Sequence, residues 1–224
     1  MITVEHVTKR FRDQTVLNDV SCSFENGKIH GIVGSNGSGK TVFMKCICGF
    51  LFPDSGKVLI DGKQVGKAFD FPPSLGLIIE SPGFLPTRSG MSNLKLLAAI
   101  RHKVKKEDLI RAMEQVGLDP ALKKPVGKYS LGMRQRLGLA QAIMEDPKLL
   151  ILDEPFNGLD RTGATEIRSL LLQLKSEGKT ILLSSHNHVD IDTLCDTVLE
   201  LDAGKIQSRV SQRSTAEKHS KTQP

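Results

Sequence analysis

Apolar positions along the chain switch between two spacings. "KIHGIVG" (28–34) is a short apolar run of the kind a buried strand makes, and a Gly-rich turn leads from it into "KTVFMKCICGFL" (40–51), where the spacing becomes helical. "KVLIDGK" (57–63) predicts a short strand with a turn at Asp61-Gly62. Between about 84 and 144 strand character stops: "SNLKLLAAIRH", "KEDLIRAMEQVG" and "LGMRQRLGLAQAIMED" are successive helical patterns, so this stretch reads as a helical insertion. Strands return at "KLLILDEP", "KTILLSSH" and "TVLELDAGKI". The alternation predicts an α/β domain over about 1–206. From Gln207 to Pro224 the chain is polar and aperiodic, which predicts a frayed tail carrying Arg209, Arg213, Lys218 and Lys221.

Three of the junctions carry chemistry. "GSNGSGKT", comprising Gly34, Ser35, Asn36, Gly37, Ser38, Gly39, Lys40 and Thr41, lies between a predicted strand and a predicted helix, the context that a phosphate-binding P-loop requires. Its glycines let backbone N–H groups turn toward the β- and γ-phosphates of a nucleotide, where the helix dipole adds positive potential. Lys40 adds a point charge, and the Thr41 hydroxyl is a hard ligand suited to Mg²⁺. In "LLILDEP" four apolar residues form a buried strand, and Asp153 emerges at its C-terminal edge, where α/β sheets bind ligands. Asp153 is placed to hold the Mg²⁺ shell, and Glu154 to accept a proton from an attacking water. "LLSSHN" repeats the layout and ends its strand in His186, a polar reader for the γ-phosphate.

A second anion site is encoded in "YSLGMRQR" (129–136). Ser130 is a good N-cap for the helix that follows, and a helix N-terminus carrying Gly132 suits an anion. One nucleotide held at the P-loop has no obvious need of it.

Composition narrows the setting. The 224 residues suffice for one large domain, and 31 Lys plus Arg against 25 Asp plus Glu leave a formal +6, a mild excess that selects no partner by itself. No stretch approaches the roughly 18 apolar residues of a membrane-spanning helix, and "MITVEHVTKR" has no signal-peptide core. Cys22, Cys46, Cys48 and Cys195 lack metal or redox spacing, so they are expected to be reduced, packed thiols in a soluble intracellular chain.

The order "GSNGSGKT", "YSLGMRQR", "ILDEP", "NGLD", "SSHN" resembles the ATP-binding subunits of ABC transporters over about 1–206. That resemblance implies a P-loop NTPase core with a mostly parallel sheet, a small antiparallel β part and a helical subdomain at about 84–144. It implies an ATPase using ATP and Mg²⁺, working with an integral-membrane permease and a second nucleotide-binding subunit, without nucleic acid, on the cytoplasmic face of the membrane. By position, Phe11 in "VTKRF" matches the aromatic that stacks on adenine, and Asp160 the acid of the loop joining two active sites. It also supplies a use for the second anion site. In that family subunits meet head to tail, so Ser130 and Gly132 would cap the γ-phosphate held by the partner's P-loop.

Two positions depart from the family pattern. The usual Leu-Ser-Gly-Gly-Gln is Tyr129-Ser130-Leu131-Gly132-Met133 here, and the usual Gln that touches Mg²⁺ and faces the membrane partner is Glu80 in "LGLIIESPGFLP". A carboxylate keeps the oxygen ligand while adding negative charge near the γ-phosphate. Both departures resemble the branch of bacitracin-resistance and lantibiotic-immunity exporters, which implies export of a peptide antibiotic or other drug-like compound. An ABC-type ATPase of soluble machinery would usually add long coiled coils or a second ATPase domain, and a nucleotide-gated regulator would not need Glu154 and His186.

Overall fold

The computed structural model describes residues 1–80 and 82–211. Among these residues ten strands form two sheets. Strands β1 (Ile2–Phe11), β2 (Gln14–Phe24), β4 (Ser55–Ile60) and β5 (Lys63–Gln64) make an antiparallel sheet in the order β2-β1-β4-β5. The larger sheet is ordered β10-β9-β3-β8-β7-β6, from β3 (Ile29–Val33), β6 (Leu75–Ile78), β7 (Leu149–Leu152), β8 (Thr180–Ser184), β9 (Thr197–Asp202) and β10 (Lys205–Ser211). All its neighbours pair in parallel except β9 and β10. The expected α/β class with a mostly parallel sheet and a small antiparallel part is therefore what the chain adopts.

Strand side chains divide the core in two. Leu150, Leu152, Ile181 and Leu183 point into one cluster, while Leu149, Ile151 and Leu182 point into another, as the two-residue period of a strand demands. The second cluster is closed by Phe43, Met44 and Ile47 of helix α1 (Lys40–Cys48) and by Val4, Leu17 and Phe24 of the antiparallel sheet. The first is closed by α5 (Arg161–Ser176) and by the helices α2 (Gly90–Arg101), α3 (Lys106–Gln115) and α4 (Leu131–Ile143). Because both faces are covered, every residue of β7 and β8 is buried, which is why those strands read as unbroken apolar runs. Cys46, Cys48 and Cys195 are buried, and burial pushes the Cys46 and Cys195 thiols up to about 12.

The three helices between 84 and 144 are anchored rather than appended. Leu94, Met113 and Leu137 belong to the same cluster as Leu150 and Leu152 of the sheet. Tyr129, at the position where the resemblance implies Leu, is buried, and its hydroxyl accepts from the Gly90 amide at 3.3 Å. The chain end departs from expectation. Gln207 does not begin a tail, because β10 continues to Ser211: the Ser208 hydroxyl donates to Glu200 at 2.8 Å and Arg209 donates to the Ser23 carbonyl at 2.5 Å. Antiparallel pairing with β9 satisfies the backbone whatever the side-chain polarity, so a polar sequence was no bar to a strand. Arg213, Lys218 and Lys221 lie outside the described residues.

Asp196 locks α5 to the start of β3. Its carboxylate accepts from the Ile29 amide at 2.9 Å and from Lys175 Nζ at 2.6 Å. Burial pushes this carboxyl upward, but the Lys175 and Ile29 donors outweigh it and hold it below the ordinary 3.8. A carboxyl lowered on folding stabilises the protein above its unfolded value, and that stabilisation disappears as pH falls through the folded one. Asp196→Asn should therefore cost about 1–2 kcal/mol at pH 7. In urea titrations from pH 7 downward, the deficit should persist to about pH 4 and shrink below it. A deficit that stays constant down to pH 3 would rule out the charge as its source.

Candidate functional site

The cradle is local in sequence. β3 ends at Val33, α1 begins at Lys40, and the six residues between them form the turn. Glycine is required twice. Gly34 has φ +146° and a Cβ there would lie 2.0 Å from the Leu201 carbonyl oxygen, whereas Gly39, at φ +105°, would place one 2.9 Å from the Val16 carbonyl oxygen. Lys40 Nζ donates to the Gly34 and Ser35 carbonyls at 2.7 and 3.0 Å, so two of its three N–H groups brace the loop. The Ser38 hydroxyl is buried without a hydrogen-bond partner among the described residues. In front of the loop lies a cavity of about 400 Å³ lined by Asn36, Gly37, Lys40, Thr41, Asp153 and Glu154 among others.

Three parallel strands, β3, β8 and β7, stand side by side in the sheet, so their C-terminal ends deliver residues to one place. Beyond β7, Asp153 accepts from Thr41 Oγ1 at 2.7 Å and from Ser184 Oγ at 2.5 Å. Glu154 adopts φ +49°, the left-handed region that a residue with a side chain seldom enters. Its amide donates to Ser184 Oγ at 2.9 Å, its carbonyl accepts from Gln135 Nε2 at 3.2 Å, and its carboxylate meets His186 Nδ1 at 2.9 Å. Ser184 thus spaces the two acids with one hydroxyl. Neither Ser184 nor Gln135 was singled out from the sequence. The first hydroxyl of "LLSS", at the strand end, was the available signal for the first.

The remaining candidates lie apart from this cavity. Phe11, at the end of β1, is 43% exposed with Lys9 Nζ 5.5 Å from its ring centre, and the β2 residues Gln14 and Val16 line the cavity instead. Ser130 is exposed, and its hydroxyl caps α4 by accepting from the Met133 amide at 3.1 Å. Gly132 packs so tightly on the Gly158 loop that a Cβ would come within 2.7 Å of the Gly158 carbonyl oxygen. Asp160 caps α5, accepting from the Gly163 amide at 2.8 Å. Glu80, at φ +61°, pairs with Lys45 Nζ of α1 at 2.6 Å rather than with Thr41 or Asp153. Its expected place beside the metal is therefore taken in this structure by an ion pair with the P-loop helix.

The oxygen pair of Thr41 and Asp153 fits Mg²⁺: both are hard donors, already converged to 2.7 Å. Among the described residues no cluster of three or more His, Cys, Asp or Glu could hold an ion, so a bound Mg²⁺ would draw its other ligands from phosphate and water. That is the usual mode for this cation in nucleotide sites.

Comparison with known proteins places the chain in a family. A family model described as ABC transporter matches residues 17–157. An uncharacterized ABC transporter ATP-binding protein of Bacillus subtilis, YybJ, is 42% identical over 93% of this chain and 95% of its own length. The bacitracin transport ATP-binding protein BcrA of Enterococcus faecalis is 42% identical over 94% of this chain and 69% of its own. The lantibiotic transport ATP-binding protein SrtF of Streptococcus pyogenes is 36% identical over 92% of this chain and 89% of its own. In fold, the chain superposes with a TM-score of 0.87 on a dimeric ATP-binding cassette in a post-hydrolysis state bound to ADP and Pi, at 20% identity, covering 96% of this chain and all of that one.

Proposed function

Since the chain belongs to the ABC transporter family as its ATP-binding, ATP-hydrolysing subunit, we propose that it works as half of a head-to-tail pair that drives a separate membrane permease. The observation that carries this reading is an incomplete site. One chain gathers the cradle, Thr41, Asp153 and Glu154 at one cavity, yet Ser130 and Gly132 sit at an exposed helix N-terminus outside it. A second subunit with the same layout would bring its own Ser130 and Gly132 to that cavity, and Asp160 would lie at the seam between the two.

In this reading the backbone amides of the Gly34–Gly39 turn hold the β- and γ-phosphates and Phe11 stacks on the adenine. Lys40 keeps the loop in shape while its third N–H faces phosphate oxygen. Thr41 and Asp153 would hold Mg²⁺, which when bound would neutralise phosphate charge, and Glu80 would be free to join them only on leaving Lys45. Glu154 takes the proton of the attacking water, with His186 fixing its carboxylate. We place the ATP-binding domain at about 1–206, with β10 carrying its sheet on to Ser211 and 84–144 as its helical subdomain.

The relatives support one substrate class. BcrA and SrtF are named for bacitracin and lantibiotic transport, which supports export of a peptide antibiotic or similar compound by this chain's permease, with the ATPase peripheral on the cytoplasmic face of the membrane. Exposed Phe50 and Phe71, in edge-on contact at 5.5 Å, are apolar surface suited to a permease loop. Co-expressed with its neighbouring reading frames, the affinity-tagged chain should bring down a membrane protein from detergent-solubilised membranes. The pair should also raise the minimum inhibitory concentration of bacitracin or a lantibiotic several-fold, and Lys40→Ala should remove the gain. Recovery of the chain without any membrane protein would count against the permease motor.

A further inference from the structure

Gln135 is a buried polar side chain on a helix face that is otherwise apolar. It is 8% exposed and is followed along α4 by the buried Leu137, Gly138, Leu139 and Ala140. A buried amide is costly unless it is hydrogen-bonded, and the bond that Gln135 makes is to the carbonyl oxygen of Glu154, 19 residues away and in a different part of the fold. Glu154 needs such support, because at φ +49° its backbone occupies a conformation that persists only when its surroundings impose it. The surroundings impose it from two sides: Ser184 Oγ takes the amide on one side of the Cα, and on the other Gln135 Nε2 joins the Asn157 amide, at 3.1 Å, in holding the carbonyl.

We propose that Gln135 is a positioning residue for ATP hydrolysis, which fixes the backbone of Glu154 and thereby the aim of its carboxylate. The proposal rests on the reading of Glu154 as the base. The element that carries it matters. Gln135 lies five residues after Ser130, about one and a half turns along the same rigid helix, so the helix end that meets the partner's phosphate and the amide that holds this subunit's own acid move as one body. Displacing α4 at its N-terminus therefore alters the clamp on Glu154, and closure of one composite site is felt at the other.

Gln135→Met, nearly isosteric but without the donor, tests this. Steady-state ATPase assays should give kcat lower by roughly ten- to a hundredfold, the scale for a misaimed group. Binding of a fluorescent ATP analogue should stay within about twofold of wild type, since no phosphate contact is lost. In a Glu154→Gln background the same substitution should leave the residual turnover unchanged, because no base remains to be aimed. Gln135→Glu adds a readout that packing alone would not move. Its carboxylate repels the Glu154 carbonyl when ionised and can donate to it when protonated, so its activity relative to wild type should rise as pH is lowered from 8 to 6. An unchanged kcat in Gln135→Met, or an equal fold-loss in both backgrounds, would overturn the proposal. Should Gln135→Met fail to fold, a wild-type kcat in Gln135→Glu at pH 8, where an ionised carboxylate would face the Glu154 carbonyl, would overturn it equally. Wild-type turnover by Glu154→Gln alone would instead overturn the assignment of the base.

Discussion

Glu154→Gln should bind ATP as the wild type does and hydrolyse it roughly a hundredfold or more slower, the usual scale for loss of a positioned general base. The reasoning is geometric. The cradle, Lys40, Thr41 and Asp153 contact one another and Ser184 without using the Glu154 carboxylate, so the phosphate and metal ligands remain in place. The backbone clamp on residue 154 involves only its amide and carbonyl, which the substitution leaves intact. An amide is isosteric with the carboxylate, and its oxygen can still accept from a protonated His186 Nδ1. What disappears is the capacity to take a proton from water. ATP would then hold the closed pair together for longer, so an ATP-dependent dimer should become visible by size-exclusion chromatography. Wild-type turnover by this variant would transfer the role of base to another group.

Ser130→Arg and Lys40→Ala should each be nearly inactive as homodimers and partly active when mixed. In the proposed pair Ser130→Arg sets a bulky cation where α4 would approach the opposite phosphate, while the variant's own cradle, in a different part of the fold, is untouched. Lys40→Ala removes both the charge and the brace across the Gly34 and Ser35 carbonyls. In the mixed dimer both defects fall in one composite site and the other site is intact. With random pairing, half of the dimers are mixed and each has one live site, so about a quarter of wild-type ATPase should return if the sites act independently. Arginine also removes the Ser130 cap on the Met133 amide, a loss of about 0.5–2 kcal/mol, so Ser130→Asn, which retains a cap, is the matched control for folding. Full activity of the Ser130→Arg homodimer would show that this helix end serves no phosphate.

The division between what was legible in the sequence and what was not follows the range of the interactions. The Gly34–Thr41 turn is a local object: its glycines, its lysine and the strand and helix around it are contiguous, so the residue order carries the whole geometry. Asp153, Glu154 and His186 were legible for a related reason, because an unbroken apolar run ending in a polar residue marks the C-terminal edge of a strand buried on both faces. Other elements were missed. β6 is four residues long and lies beside a segment the chain's polarity makes look like a loop, while α5 and α6 (His188–Leu194) follow the acids and histidine whose chemistry drew the reading away from their periodicity.

Adjacency was beyond reach of the sequence. That β8 lies between β3 and β7 is settled by which faces bury each other, and this is what places Thr41 against Asp153 across 112 positions. Lys45 with Glu80, Ser184 with both acids, and Gln135 with the Glu154 carbonyl are contacts between segments 19 to 35 positions apart. No local propensity encodes them. Sequence by itself determined the residue types and the element ends on which the chemistry stands. The tertiary structure decided which of those ends meet, because burying two apolar faces of one twisted sheet admits few strand orders and the polar ends are carried wherever the core puts them.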